Sequence, residues 1–598
     1  MQYTSEDVQV LRERLSARDT RSNPRWWTVP ARRLSMVGLN IATLAALFAG
    51  VATVLGGDGW TLVDVLIMAC VVLSAPWTVL ASWNAIIGLF LTLAYRDPAK
   101  IVAPFWSDAS PRAPIKSRCA LLMTVRNEDP DRAFARLEAI RASLEQTGQS
   151  AAFDLFVLSD TDIPAIAERE EQLFADKRHQ FAGLGNAYYR RRSARTGFKA
   201  GNVWEFVETR GSNYDLMIPL DADSLMSGST IVRMVTTMER HPEIGILQSL
   251  VVGAPTESGF ARIFQFGMRQ GMRAFTLGSA WWQQDCGPFW GHNAVIRVEA
   301  FARHCDLPVL PGRAPLGGHL LSHDQVEAVL MRRGGYEVRV IPEETESWEE
   351  NPVTILDYMQ RDQRWCNGNM QYWRLLGMPG LATVSRFQIA QAIAMYIAPV
   401  AWMLMMTLAA VKAATETMET FDPTLAVGLY VSMFILSLMP KIVGAIQIAL
   451  EPNGVARLGG PMRFAAGLLV EFLFSLLMAP VVAFRVSIFM VGLLFGARIS
   501  WGGQTRDAYR LSWAEAARAM WPQTLFGAVL TAVFAHYAPQ ALPWAAPVLC
   551  GLLLAIPFAV LTSSPQFGTW MRRHGIARTP EEAQTTTTYV SGYAPLAG

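Results

Sequence analysis

The chain has 598 residues, 51% of them hydrophobic and only 17% charged, where ordinary soluble domains carry roughly 25% charge. Its 52 Lys and Arg nearly balance 50 Asp and Glu, a formal charge of +2, which excludes a polybasic nucleic-acid binder, and apolar residues are too abundant for a disordered chain. The six cysteines, Cys70, Cys119, Cys286, Cys305, Cys366 and Cys550, lie far apart without metal-ligand spacing, so free buried thiols are expected rather than a disulfide scaffold.

Residues 1–33 form a basic tail with Arg12, Arg14, Arg18, Arg21, Arg25, Arg32 and Arg33, too long and polar for a cleavable signal peptide. No Asp, Glu, Lys or Arg occurs in 34–57 or 65–95. A spanning helix needs about 20 apolar residues, so 34–95 is expected to hold transmembrane helices 1 and 2. Residues 96–386 are a polar insert of soluble-domain character. Charge vanishes again over 387–411, 423–440 and 519–571. Between these, 412–422 carries Glu416, Glu419 and Asp422 and is expected outside, whereas Arg457 and Arg463 mark an inside loop. The stretch 464–497 holds only Glu471 and Arg485, with Pro480 between them, and is expected to be a tight hairpin or a broken helix, making 387–497 helices 3 to 6. Residues 498–522, with Arg498, Arg506, Arg510 and Arg518, form a cytoplasmic amphipathic, gating-like loop. Helices 7 and 8 fall in 523–562, broken near Pro539, Gln540 and Pro543, and 563–598 is a cytoplasmic tail with Arg572, Arg573 and Arg578. Positive-inside counting then predicts eight crossings, with seven as the runner-up, and a cytoplasmic insert.

The insert reads as a parallel α/β domain, because short apolar runs ending in polar residues alternate with helical patterns. Ala120–Val125 ends at Arg126-Asn127-Glu128, Phe153–Leu158 at Ser159-Asp160, Leu216–Leu220 at Asp221-Ala222-Asp223, and Ile244–Leu247 at Gln248. Ligands of such sheets bind beyond the carboxyl ends of the strands. Two carboxylates at i and i+2 of an extended segment share one side and suit a hard divalent cation that keeps places for water and phosphate; the bland alternative is an Asx turn. Lys199-Ala200-Gly201-Asn202, at a helix start, suits a phosphate or is a solvated cap. The run Arg190, Arg191, Arg192 and Arg195 is expected on a solvated or headgroup-facing surface. Asp324 in Ser322-His323-Asp324 is a helix cap or, with an acceptor hydroxyl in reach, a general base; a metal role for His323 is disfavoured. Arg361-Asp362-Gln363-Arg364-Trp365 is either a headgroup anchor or an anion and sugar clamp.

A strand-end Asp, then Asp-x-Asp, then a helix-start Asp, then x-x-Arg-Trp before membrane helices resembles the processive family 2 membrane glycosyltransferases, which include cellulose, chitin and hyaluronan synthases. Arg361–Asn369 (Arg-Asp-x-Arg-Trp-Cys-x-Gly-Asn), Gly291-His292-Asn293-Ala294, Ser322-His323-Asp324 and Trp501-Gly-Gly-Gln504-Thr-Arg506 resemble its glucans biosynthesis glucosyltransferase H branch. The resemblance implies an α/β GT-A-type domain inserted in an all-α polytopic membrane domain of about eight helices. It implies inverting transfer from UDP-glucose into a linear β-1,2-glucan, the backbone of osmoregulated periplasmic glucans, at a bacterial inner membrane. It assigns Asp324 as base, Asp221 and Asp223 to Mg2+ (Mn2+ as the alternative), Glu128, Asp160, Lys199, Arg361 and Arg364 to the donor, and Trp365, His292 and Asn293 to the acceptor. The growing glucan, membrane lipid, acyl carrier protein and a periplasmic glucan-processing protein are the implied partners. Glu471, Arg485, Gln388 and Gln391 would line a polar groove or pack the helices together. No cyclic-dinucleotide module is expected after the last helix. The rival readings are a cellulose-like synthase, a lipid-linked sugar transferase, and a transporter or channel with a nucleotide-sensing domain.

Overall fold

The computed structural model describes residues 28–107, 114–181, 185–416, 422–497 and 507–583. The first two charge-free stretches become helices α1 (Val29–Leu55) and α2 (Leu62–Ala94). Thr61 and Asp64 start α2 with a reciprocal capping box, each side chain bonding the other's backbone N–H. Arg32 and Arg33, the last arginines of the basic tail, turn inward. Arg32 donates to the carbonyl of Trp281 at 3.4 Å, and Arg33 donates to those of Trp282 at 3.1 Å and Gln283 at 2.9 Å. Cations placed there complement the unpaired carbonyls of a helix C-terminus.

The insert forms one sheet of eight strands in the order β3-β2-β1-β4-β7-β6-β8-β5. They are β1 (Cys119–Val125), β2 (Phe153–Ser159), β3 (Ala187–Arg191), β4 (Leu216–Asp221), β5 (Leu225–Met226), β6 (Ile244–Gly253), β7 (Ala294–Arg297) and β8 (Glu337–Glu349). All four expected strands are present, and β1 runs parallel to both β2 and β4. Leu121, Leu122, Val157, Ile218 and Leu220 are buried, as a sheet covered on both faces requires. The sheet is nonetheless mixed: β7 is antiparallel to β4 and β6, and β5 to β8. Nor does β6 stop at Gln248. Its amide donates to the carbonyls of His292 at 3.1 Å and Asn293 at 3.3 Å, and Ser249 donates to Asn293 at 2.6 Å. The two polar residues are satisfied inside the sheet, so they need not end the strand.

The insert's helices include α3 (Pro130–Gln146), α4 (Phe198–Arg210), α5 (Gly259–Gln283), α6 (Asp324–Arg333) and α7 (Ile355–Gln371). Helix α5 joins it to the membrane helices. A Cβ on Gly88 of α2 would fall 1.9 Å from the carbonyl oxygen of Ala274, and one on Gly278 would fall 1.8 Å from that of Asn84. Glycine alone permits this backbone-to-backbone crossing.

Then follow α8 (Thr383–Thr415), α9 (Pro423–Leu450), α10 (Pro461–Leu494), α11 (Trp513–Tyr537), α12 (Leu542–Leu553) and α13 (Ala555–Ser563). Among the described residues, five helices are long and apolar enough to cross a membrane, or six if the pair α12–α13, bent by 56°, is one span; eight are not reached. The hairpin expected over 464–497 is absent, since α10 is one unbroken helix of 34 residues with Pro480 inside it. A hairpin there would expose the backbone groups of its turn at membrane depth, whereas an internal proline frees a single carbonyl. Phe464 near the start of α10 packs edge-on against Phe266 of α5, and Val486, Phe489 and Leu493 near its end cluster with Cys366 of α7. Both ends of α10 therefore pack against helices of the insert. Buried Glu471 pairs with Lys441 of α9, fastening two helices together, and Gln388 donates to the carbonyl of Cys286 at 2.5 Å, tying α8 to the segment after α5. Gln391 is half-buried. All six cysteines are free, and Cys550, expected buried, is exposed. The arginines of 12–25, Glu419, Arg498, the 501–506 element and the chain beyond 583 lie outside the described residues.

Candidate active site

Parallel pairing brings the ends of β1, β2 and β4 to one edge. Thr124 stands level with Leu158 and with Asp221, and the Asp160 N–H donates to the Val125 carbonyl at 2.9 Å. Asp160 is buried and held by two bonds from Arg192, Nε at 2.7 Å and Nη2 at 2.6 Å. The same guanidinium donates to the carbonyls of Thr196 at 3.2 Å and Phe198 at 2.9 Å, tying β2 to the turn that starts α4. Arg192 was expected on the surface with its neighbours; it is 6% exposed. Arg190 also turns inward, to Asn202, while Arg191 stays outside. Alternation along the strand separates 190 and 192 from 191, a signal the sequence carried. Glu128 folds back to accept from the Arg126 N–H.

Lys199 follows Gly197 and Phe198, whose φ values of +73 and +55 bend the chain sharply into α4. Its ammonium pairs with Asp221 and donates to the Gly291 carbonyl at 2.9 Å. The carboxylate pair is not presented by an extended segment. The chain turns at once, the Ser224 N–H donating to the Asp221 carbonyl at 2.9 Å and the Asp221 N–H to Ser224 Oγ at 3.0 Å. Asp223 is buried in that turn. Burial opposes ionisation of Asp221, but Lys199 and His292 together hold its pKa at about 2. No group of three or more His, Cys, Asp or Glu suited to a metal occurs among the described residues. Two carboxylates without a third protein ligand fit a hard cation that completes its shell with phosphate oxygens and water.

Gly291, at φ +82, is the meeting point of the site. A Cβ there would lie 3.5 Å from Asp324 Cβ, 3.5 Å from His323 Cε1 and 3.7 Å from Lys199 Nζ. Asp324 is the first residue of α6, and His323 before it contacts buried Glu327 at 2.9 Å. Although burial opposes the imidazolium, Glu327 and Asp324 raise the pKa of His323. His292 faces Glu349 at 3.3 Å and Ser224 Oγ at 3.4 Å; burial is again outweighed, by Asp221 and Glu349, and its pKa rises to about 9. Asn293 is fully buried and donates to Ser347 Oγ at 2.9 Å and to the Trp348 carbonyl at 3.2 Å. Its side-chain amide is thus engaged with β8.

Helix α7 closes the other side. A Cβ on Gly368 would fall 2.5 Å from Ser322 Oγ and 2.6 Å from Ser322 N, so glycine lets α7 rest directly on the segment that leads to Asp324. Tyr372 donates to the Ser322 carbonyl at 2.9 Å, Gln371 donates to that of His319 at 3.1 Å, and Leu321 N–H donates to Gln371 at 2.9 Å. These tethers carried no motif that sequence reasoning used. Arg364 is buried, whereas Trp365 is 47% exposed with the Arg361 guanidinium 4.7 Å from its ring centre. Arg361 thus stacks on the aromatic face of Trp365. The arrangement sets cations and carboxylates on the strand-end side, a carboxylate at a helix start opposite them, and an open indole face beyond.

A relative from Xanthomonas campestris pv. campestris (strain B100), a glucans biosynthesis glucosyltransferase H, is 37% identical over 96% of this chain and 90% of its own length. This chain belongs to the glucans biosynthesis glucosyltransferase H family. Another glucans biosynthesis glucosyltransferase H, from Caulobacter vibrioides (strain NA1000 / CB15N), is 38% identical over 83% of this chain and 77% of its own. The family model described as glycosyl transferase family group 2 matches residues 216–439, the span that contains Asp221, Asp223, Asp324, Arg364 and Trp365. The protein is a glycosyltransferase with long membrane-type helices. Among solved structures, the mannosyltransferase PcManGT from Pyrobaculum calidifontis, in complex with GDP-Man and Mn2+, aligns with 61% of this chain and 98% of its own at 14% identity and a TM-score of 0.38.

Proposed function

We propose that this glucosyltransferase takes glucose from UDP-glucose and adds it to the end of a growing linear β-1,2-glucan, the backbone of osmoregulated periplasmic glucans. The observation that carries the reading is the meeting of Asp324 with Lys199 across Gly291, with Lys199 itself paired to Asp221. A carboxylate opposite a cation-rich donor edge is what a single inverting displacement needs. The acceptor hydroxyl loses its proton to Asp324 as its oxygen bonds to the anomeric carbon, and the bond from that carbon to UDP breaks on the opposite face. Lys199 and Arg364 hold the diphosphate side, with Arg361 next to them on α7. Asp160 and Glu128 hold the uridine side, the former kept rigid by Arg192. A divalent cation held by Asp221 and Asp223, Mg2+ or Mn2+, supplies positive charge against the leaving diphosphate. Trp365 offers its exposed face to the terminal sugar, and His292, backed by Asn293, frames that pocket.

The catalytic unit is assigned to the cytoplasmic side of a bacterial inner membrane, supported by Arg457 and Arg463 on the same side as α5. The helices would then pass the product outward, and acyl carrier protein and a periplasmic glucan-processing protein are the partners this reading expects. Purified protein given labelled UDP-glucose and Mg2+ should make a polymer whose linkage analysis shows 2-substituted glucose. Dominant 4-substituted glucose would replace it with a cellulose-like synthase. A label found only in lipid would replace it with a lipid-linked sugar transferase.

A further inference from the structure

The backbone of the Asp221-Ala222-Asp223 turn is gripped from outside the site. Arg136 of α3, 3% exposed, donates from Nη1 to the Ala222 carbonyl at 2.7 Å. Its other terminal nitrogen bonds Glu350, just past β8. The same Glu350 oxygen accepts from Arg132, one turn earlier on α3, at 2.8 Å. Arg132 in turn pairs with Asp507. Two residues later, Tyr509 donates to Asp357 at 3.2 Å and lies 3.4 Å from Thr354 Oγ1. Thr354 caps the start of α7. Charge therefore alternates without a break, Arg136, Glu350, Arg132, Asp507, from the carboxylate turn to the segment that enters α11. That segment also touches the helix carrying Arg361, Arg364 and Trp365. The four charges sum to zero, and the direct contact with the turn is a hydrogen bond to its backbone, which fixes position.

We propose that Arg136 is a positioning residue for the Asp221-Ala222-Asp223 turn, and that Glu350 and Arg132 join this turn to Asp507, so that the segment entering α11 sets how well the turn holds a divalent cation. The inference rests on the reading of Asp221 and Asp223 as cation ligands. A turn whose central carbonyl is fixed keeps its two carboxylates at one spacing, and a cation with strict geometry is sensitive to that spacing. A guanidinium bonded to a buried carbonyl is a charge-assisted bond in a dry setting, among the stronger single contacts available.

The test is Mn2+ binding to the full-length protein in detergent with UDP present, read by the electron paramagnetic resonance of free Mn2+, alongside steady-state kinetics. Arg136→Met should weaken Mn2+ binding roughly ten-fold while turnover at saturating metal stays within about three-fold. Arg136→Lys, which still reaches the carbonyl, should restore most of the affinity. Glu350→Gln gives the same reading if Arg136→Met does not fold. Asp507→Asn, at an exposed position, should weaken binding about two-fold, and should do nothing further in the Arg136→Met background. Unchanged Mn2+ affinity in both Arg136→Met and Glu350→Gln, with Asp223→Asn still lowering it, would overturn the positioning role and leave the cation ligands standing. Unchanged affinity in Asp223→Asn would instead remove the cation reading of the turn. Full additivity of Asp507→Asn with Arg136→Met would show that the chain does not carry the coupling.

Discussion

The two halves of the site, proposed for the donor and for the acceptor, are held by different forces. On the donor side two carboxylates have a fixed cation: Asp160 has Arg192, and Asp221 has Lys199. On the acceptor side, order comes from close backbone approach, with Gly368 against Ser322 and the Tyr372 and Gln371 tethers, while Trp365 stays open. Ion pairs suit a half that must receive a highly charged nucleotide, because a cation already in place can pass from a carboxylate to a phosphate. Steric contact suits a half that must orient a neutral sugar, where charge would have nothing to grip.

The comparison can be broken most sharply at the point where the halves meet. Asp324→Asn keeps the shape and loses the proton acceptor, so turnover should fall by ~10²–10⁴-fold, with UDP-glucose binding by calorimetry unchanged. Near-normal turnover would remove Asp324 as the base. Next, Gly368→Ala should push α7 from Ser322 and lower polymer formation by about 10²-fold, the effect of a misplacement near 1 Å. Because only the acceptor half is disturbed, UDP affinity should hold; a matching loss of UDP affinity would show that the halves are not separable.

On the donor side, Arg192→Met leaves Asp160 buried and unpaired. The KM for UDP-glucose should rise roughly ten-fold or more, and the melting temperature should fall, since unpairing a buried ion costs about 3–5 kcal/mol. Adding Asp160→Asn should recover stability without recovering KM, and recovery of both would make the pair merely structural. The smallest effect concerns Asp362 on α7, which accepts from Tyr396 at 3.1 Å and whose pKa burial pushes up to about 6. The fold therefore favours its protonated form, and stability falls as pH rises from the ordinary carboxylate range through 6. Asp362→Asn cannot ionise, so its melting temperature should exceed that of the unaltered protein at pH 8 by about 2–4 °C and by less at pH 5. Equal shifts at both pH values would show that the carboxyl does not titrate in the fold.

The sequence by itself determined the strands β1, β2 and β4, because apolar runs that short, each closed by polar residues, suit strands buried on both faces of a sheet, and it determined the family, because the order of short motifs survives where each motif alone is weak. The long helices were legible for the same reason, since absence of charge over some 20 residues has few other uses. What only the tertiary structure decided are matters of partnership. Whether Pro480 ends a helix depends on what the turns on either side pack against, and with Phe464 on Phe266 at one end and Val486, Phe489 and Leu493 around Cys366 at the other the helix continues. Whether Arg192 faces water or Asp160 depends on a strand pairing that brings residues 160 and 192 together. Whether β6 ends at Gln248 depends on two carbonyls supplied by His292 and Asn293. Composition and periodicity report what each residue prefers; a buried polar group's fate is set by which distant group arrives to pair with it, and that arrival is a property of the fold.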